Sequence, residues 1–246
     1  MISKNLIKYI RQLELKKYRK REGVFVAEGP KVVGDLLKHY KPKAIFATEE
    51  WGSPANQHDV IRISEDELSR ISFLQHPQQV LALFPIPDEV ISDDKFKGKL
   101  ALALDGVQDP GNLGTIIRIA DWFSIDTIYC SEDTADVYNP KVVQATMGSL
   151  ARVNIIYTNL SSLLNALPPA FPVYGTLLDG DDIYQQPLSK EGIIIMGNEG
   201  NGISEDIRRK VNRHLLIPCF RKGDTAESLN VAIATAITCS EFRRRE

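Results

Sequence analysis

Apolar and polar positions along the chain predict two successive α/β patterns. Over residues 3–20, Leu6, Ile7, Ile10, Leu13 and Tyr18 recur at roughly helical spacing against a basic opposite face. Gly23 to Gly29 reads as a short strand bounded by glycines, and Pro30 can open the next helix, Lys31–His39, at its first turn. Ala44–Ala47 and Asp59–Ile63 are strand-like. Ser64-Glu65-Asp66-Glu67 starts a helix with acids in its first turn, and Gln79–Phe84 is an apolar strand. The order α-β-α-β-β-α-β defines a small domain over residues 1–88. The Pro-, Asp- and Lys-rich stretch that follows places a linker at 89–98.

Residues 99–246 carry the second pattern. Leu100–Leu104 is wholly apolar, as expected of a buried parallel strand. Strands at Thr127–Cys130, Val153–Tyr157, Val173–Leu178, Gly192–Met196 and Leu215–Ile217 follow. They alternate with helices at Asn112–Phe123, from Asn139-Pro140 to about Met147, and at Leu160–Leu167, Ser204–Val211 and Ser228–Arg244. The fold class is therefore α/β: a small N-terminal domain, then a parallel sheet with helices on both faces.

Composition sets limits on this picture. With 43% hydrophobic and 25% charged residues the chain is that of an ordinary globular protein. No apolar run approaches a membrane span, and MISKNLIKYI lacks a signal-peptide core, so a cytoplasmic protein without membrane contact is expected. Cys130, Cys219 and Cys239 lie far apart, and the four histidines form no ligand pair, so no metal is expected. Net charge is only −2, but residues 1–43 hold 12 Lys/Arg and 4 Asp/Glu. The dense part, Lys16, Lys17, Arg19, Lys20 and Arg21, is a candidate RNA-phosphate patch; it reads equally as a solvated helix face.

Three stretches carry candidate chemistry. In the first, Asp109 to Ala120, Asn112 is a good N-cap and Arg118 lies off the apolar face of the helix. Read alone, this is also an amphipathic helix with one surface arginine. In the second, the strand Ile193–Met196 enters Gly197-Asn198-Glu199-Gly200-Asn201-Gly202 and leaves by a helix that Ser204 can cap. Ligands in open α/β sheets bind beyond such strand ends. The glycine spacing is neither that of a dinucleotide fingerprint nor that of a Walker loop. In the third, Ile217-Pro218-Cys219-Phe220 runs through a Gly-containing loop to Ser228-Leu229-Asn230-Val231. Ser228 can cap the last helix there, and Asn230 sits among apolar residues where an unpaired amide is costly.

Together, N-x-G-x-x-x-R, G-N-E-G-x-G-I and I-P…E-S-L-N-V, in that order, resemble the SpoU (TrmH-like) family of RNA ribose 2′-O-methyltransferases of the SPOUT superfamily. The resemblance covers residues 99–246 well. It extends more loosely to 1–88, where Arg21 to Gly29 and His76 to Ala82 look like the family's substrate-binding domain. It implies a deep trefoil knot and S-adenosylmethionine held by Gly197, Asn198, Gly200, Gly202, Ile217, Cys219, Phe220 and Leu229. It also implies a homodimer and a catalytic Arg118, with Asn112, Glu199, Ser228 and Asn230 as polar active-site positions. The chain departs from the family pattern at Cys219, where Met is usual, in a longer loop over Phe220–Ala226, and at Ala232, where Ser is frequent.

The expected reaction is methyl transfer to a ribose 2′-hydroxyl of structured RNA, first ribosomal and second transfer RNA. Arg118 would remain charged, clamp a phosphate and stabilise the developing alkoxide. Two readings of other classes remain open: a non-catalytic RNA-binding protein of the same fold, and a nucleotide-dependent oxidoreductase. The second is opposed by the missing dinucleotide fingerprint.

Overall fold

The computed structural model describes residues 2–52, 59–87, 98–224 and 226–244. In chain order the elements are α1 (Lys4–Gln12), α2 (Lys16–Glu22), β1 (Val24–Glu28), α3 (Pro30–Leu36), β2 (Ala44–Ala47), β3 (Val60–Arg62), α4 (Glu65–Ile71) and β4 (Val80–Pro85). There follow β5 (Leu100–Asp105), α5 (Pro110–Trp122), β6 (Thr127–Cys130), α6 (Pro140–Ala145), β7 (Asn154–Tyr157), α7 (Leu160–Asn165), β8 (Val173–Asp182), β9 (Gly192–Gly197), α8 (Glu205–Arg208), β10 (Arg213–Leu216) and α9 (Val231–Arg244). The expected linker lies, apart from Gly98, outside the described residues. No helix among them is long and apolar enough to cross a membrane.

The chain forms two compact units, Met1–Asp88 with Asp136–Ala151, and Glu89–Ala135 with Arg152–Glu246. The first is therefore discontinuous in sequence: α6 and the turn after it, read from sequence as part of the second domain, pack with the first. Its sheet has the order β1-β4-β2-β3, with β4 antiparallel to β1 and β2. Ile10, Leu13, Val24, Val26, Phe46, Leu68, Ile71 and Leu81 close a core beneath it.

The single helix expected over residues 3–20 is two helices. Leu6, Ile10 and Leu13 keep helical spacing, but Tyr18 comes five residues later and out of phase, and the chain turns at Leu13–Leu15. The turn is held by Arg19, only 2% exposed, whose guanidinium donates to the Leu13 and Glu14 carbonyls at 2.6 Å each and pairs with Asp136. At α4 the acid-rich start is a full capping box between Ser64 and Glu67.

In the second unit six strands lie in the order β10-β8-β9-β5-β6-β7, every pair parallel. Ala101, Ala103, Ile193 and Ile195 face a core completed by Leu160, Val173, Ile203 and Ile207. From β5 the chain moves outward through β6 to β7, then returns to fill the other side. The order of strands thus reverses between β5 and β9, where open α/β sheets leave a crevice beyond the strand ends. Strand β8 runs on to Asp182, past the expected Leu178, because its far end pairs again with β10 after a register shift. Helix α8 is four residues, shorter than expected. Ser204 stands at its N-cap without a side-chain bond, and the Ser204 N–H donates instead to the buried Asp105 carboxylate at 2.7 Å.

Candidate active site

The loops leaving β5 and β9 meet at the reversal point. Asp109 caps α5, accepting from the Asn112 N–H at 2.7 Å, and Pro110 fills the first helical position. Asn112, expected to be the cap, is thus inside the first turn with its side chain free for other work. The Asp109-Pro110 pair was the sequence signal for this, an acceptor followed by a residue that has no N–H to satisfy.

Beyond β9 the chain makes a tight turn. Asn198 and Gly202 exchange both backbone hydrogen bonds at 2.9 Å. The Asn198 Oδ1 accepts from the Gly200 and Asn201 N–H groups at 2.9 and 3.0 Å, and its Nδ2 donates to the Gly106 carbonyl at 2.7 Å. The polar groups of Asn198 are therefore spent inside the protein, and its part is to shape the turn rather than to present a side chain. A Cβ at Gly197 would lie 2.2 Å from the Gly202 carbonyl carbon, and Gly202 has φ +69°, so both positions need glycine.

This turn delivers Glu199 to the start of α5. Its Oε1 accepts from Asn112 Nδ2 at 2.9 Å and, at 3.4 Å, from the Asp109 N–H, while its Oε2 accepts from the Gln108 N–H at 3.4 Å. Burial opposes the charge on Glu199, but the bonds from Asn112 and from the backbone of Glu199, Gln108 and Asp109 outweigh it and hold the carboxyl below its ordinary pKa. An ionised carboxylate only accepts, so it fixes the Asn112 amide with nitrogen toward Glu199 and oxygen outward. That oxygen accepts from Asn230 Nδ2 at 2.9 Å. Asn230 Oδ1 in turn accepts from the Ala232 and Ile233 N–H groups at 2.9 and 3.3 Å, capping α9. One chain of hydrogen bonds thus joins all three motif-bearing loops.

The remaining predicted residues divide. Ser228 stands exposed before α9 and does not cap it; the helix begins three residues later than expected, at Val231, with Asn230 in the capping role. Arg118 is exposed on α5 and, among the described residues, makes no hydrogen bond or ion pair. The loop after β10 presents Phe220 at 84% and Leu229 at 50% exposure, with Ile217 half-buried and Cys219 exposed. Apolar side chains beside backbone groups of Ile217, Phe220 and Leu229 that bond to no described residue suit a ligand with both an apolar and a polar face, as S-adenosylmethionine has. No three or more His, Cys, Asp or Glu among the described residues are placed to hold a metal. In the first unit Lys16, Lys17, Lys20 and Arg21 are exposed as a phosphate patch requires, but Arg19 is buried and structural and is removed from that set.

The chain is 34% identical to the 23S rRNA (guanosine(2553)-2′-O)-methyltransferase RlmP of Bacillus subtilis, over 96% of this chain and 95% of that protein. An AdoMet-bound rRNA methyltransferase from Sinorhizobium meliloti superposes with TM-score 0.85 at 31% identity, over 100% of this chain and 96% of that one. A TrmH-family structure from Porphyromonas gingivalis does so with TM-score 0.89 at 42% identity, each chain covered in full. Residues 4–82 match the MRM3-like substrate binding domain. Residues 99–240 match the SpoU rRNA Methylase family, and with more than half its length so matched the chain belongs to that family.

Proposed function

We propose that the protein transfers a methyl group from S-adenosylmethionine to a ribose 2′-hydroxyl of ribosomal RNA. The observation that carries this is the chain Glu199–Asn112–Asn230, which ties the three family motifs together at the strand-reversal point and leaves Arg118 free on the same helix. S-adenosylmethionine supplies an electrophilic methyl, so the protein's task is to place the ribose oxygen in line with it. The turn Gly197–Gly202 and the loop Ile217–Leu229 hold the donor, mostly through backbone groups. Arg118 clamps a phosphate of the target nucleotide and stabilises charge developing on the ribose oxygen, whose proton passes to a phosphate oxygen or to water. Ser228, whose side chain bonds to no described residue, is available to the substrate.

Residues 99–246 perform this chemistry and residues 1–88 position the RNA through backbone contacts. Membership of the SpoU family supports a trefoil knot in the second unit. Trp122, 84% exposed on α5, and Ile233, 53% exposed on the packed α9, support a homodimer. A cytoplasmic location fits ribosomal RNA as substrate.

The test is tritium transfer from labelled S-adenosylmethionine to undermodified ribosomal RNA and, separately, transfer RNA, with Arg118→Ala as control. Label in ribosomal RNA, lost in the variant and protecting one ribose from alkaline cleavage, is expected. Label only in transfer RNA would replace the substrate. Donor binding without transfer to either would leave an RNA-binding role.

A further inference from the structure

Helix α2 contradicts its own local rules. It reads KKYRKRE, with the like-charged pair Lys17/Arg21 at i,i+4 spacing. Its N-cap Leu15 makes no side-chain bond, and its first turn holds lysines and no acid where the helix dipole favours negative charge. Violations of this kind, kept in a well-packed element, mark sites where a partner supplies the compensation.

The structure adds cations that are remote in sequence. Arg19 points inward to the Leu13 and Glu14 carbonyls and Asp136, which fixes the helix and turns Lys16, Lys17, Lys20 and Arg21 outward. At the same end of the sheet, the Ile86 N–H donates to the Gly23 carbonyl and the Lys43 N–H to the Leu83 carbonyl. Lys43 Nζ then reaches the Glu22 carbonyl at 3.2 Å, bringing the exposed Lys41 and Lys43 beside the C-terminus of α2. Among the described residues the acids at hand are few: Glu22 pairs with Arg21, and Glu14 is exposed at the opposite end. Tyr18, half-buried, has the Lys17 ammonium and the Arg21 guanidinium over its ring, which holds both cations on this face.

We propose that α2 and the Lys41–Lys43 segment form one surface that tracks the phosphodiester backbone of the RNA substrate. The inference rests on the proposed function for the identity of that RNA. Cations spaced along a helix and continued by a second segment fit a polyanionic strand better than a single phosphate. Among the described residues of α2 and the Lys41–Lys43 segment, Leu15 alone is a large exposed apolar side chain, too little to anchor the helix in a lipid surface.

The test uses the full chain with Lys17, Lys20, Lys41 and Lys43 all changed to Ala. Binding of fluorescent undermodified ribosomal RNA is followed by anisotropy over a range of salt, beside titration with S-adenosylmethionine. Each neutralised phosphate adds roughly 0.7–0.9 to the slope of log K against log salt. The variant should therefore lose about three from the slope and bind more than about tenfold more weakly, with unchanged donor affinity. Lys41→Ala/Lys43→Ala alone should lose at least about one. A variant with the wild-type slope overturns the surface, whether or not methyl transfer to ribosomal RNA persists. Lost salt dependence in the variant with no methyl transfer by the wild type upholds the surface and rejects the proposed reaction instead. Binding to phosphatidylglycerol vesicles that needs these lysines, with RNA binding unaffected, overturns it in favour of a membrane.

Discussion

Arg118 and Glu28 are both charged residues, and their surroundings give them opposite uses. Arg118 is exposed and unpaired among the described residues, so its planar fork is available for a bidentate grip on a phosphate. Lysine keeps the charge but not the fork. Arg118→Lys is expected to lower the single-turnover methylation rate about 100-fold while leaving donor affinity intact; a near-wild-type rate in rapid quench would remove the clamp from the mechanism. Glu28 is buried, accepting from Ser72 Oγ and from the Phe73 N–H at 2.8 Å. Burial raises its pKa, and the bonds from Ser72 and Phe73 and the charge of Arg11 only partly oppose this. A carboxyl that holds its proton more tightly when folded gives its full stabilisation below the unfolded pKa and loses it as pH rises through the folded value. Glu28→Gln, which imitates the protonated form, should therefore gain on the wild type in urea unfolding as the pH is raised above the ordinary carboxyl range. A gain by the wild type above that range would show the carboxylate to be the favoured form.

At the scale of elements, strand identity was legible because buried strands are written as largely apolar runs: Thr127–Cys130 and Ala44–Ala47 fall at the expected residues. Helix ends were less legible, because capping depends on which acceptor reaches which N–H in space. Asn112 and Ser228 have the right chemistry for a cap, yet Asp109 and Asn230 do the capping. The same geometry explains what sequence alone left open at Asn230: its amide is at once a cap and a donor to Asn112. The break between α1 and α2 was legible only as a lapse in phase at Tyr18, and the inward turn of Arg19 was hidden among four neighbouring cations. A measurable consequence follows for α9. Asn230→Ala should cost about 1 kcal/mol of stability from the cap alone, whereas Ser228→Ala should change stability by less than about 0.5 kcal/mol. Equal losses in thermal unfolding would return the cap to Ser228.

For the whole molecule, the boundary between domains in sequence is not a boundary in space. Cutting the chain in the segment after Pro87 separates Met1–Asp88 from Asp136–Ala151, which belong to one compact unit. The separation removes Asp136 from the nearly inaccessible Arg19, and Tyr138 from its ring contact with Phe25 at 4.9 Å between centroids. It also uncovers β1, all five of whose residues are buried and against which α6 packs. Breaking a buried ion pair by removing one partner costs about 3–5 kcal/mol, a large part of what a domain of this size has to spare. Residues 1–88 produced alone should therefore lack a cooperative melt, or melt far below the full chain. Asp136→Ala in the full chain should lower stability by about 3 kcal/mol, and amides of α2 and β1 should lose protection before those of β5 and β9. Hydrogen exchange resolved by residue distinguishes this from uniform loosening. A fragment melting within a few degrees of the intact protein would mean that the segment 136–151 rests on the first unit without supporting it.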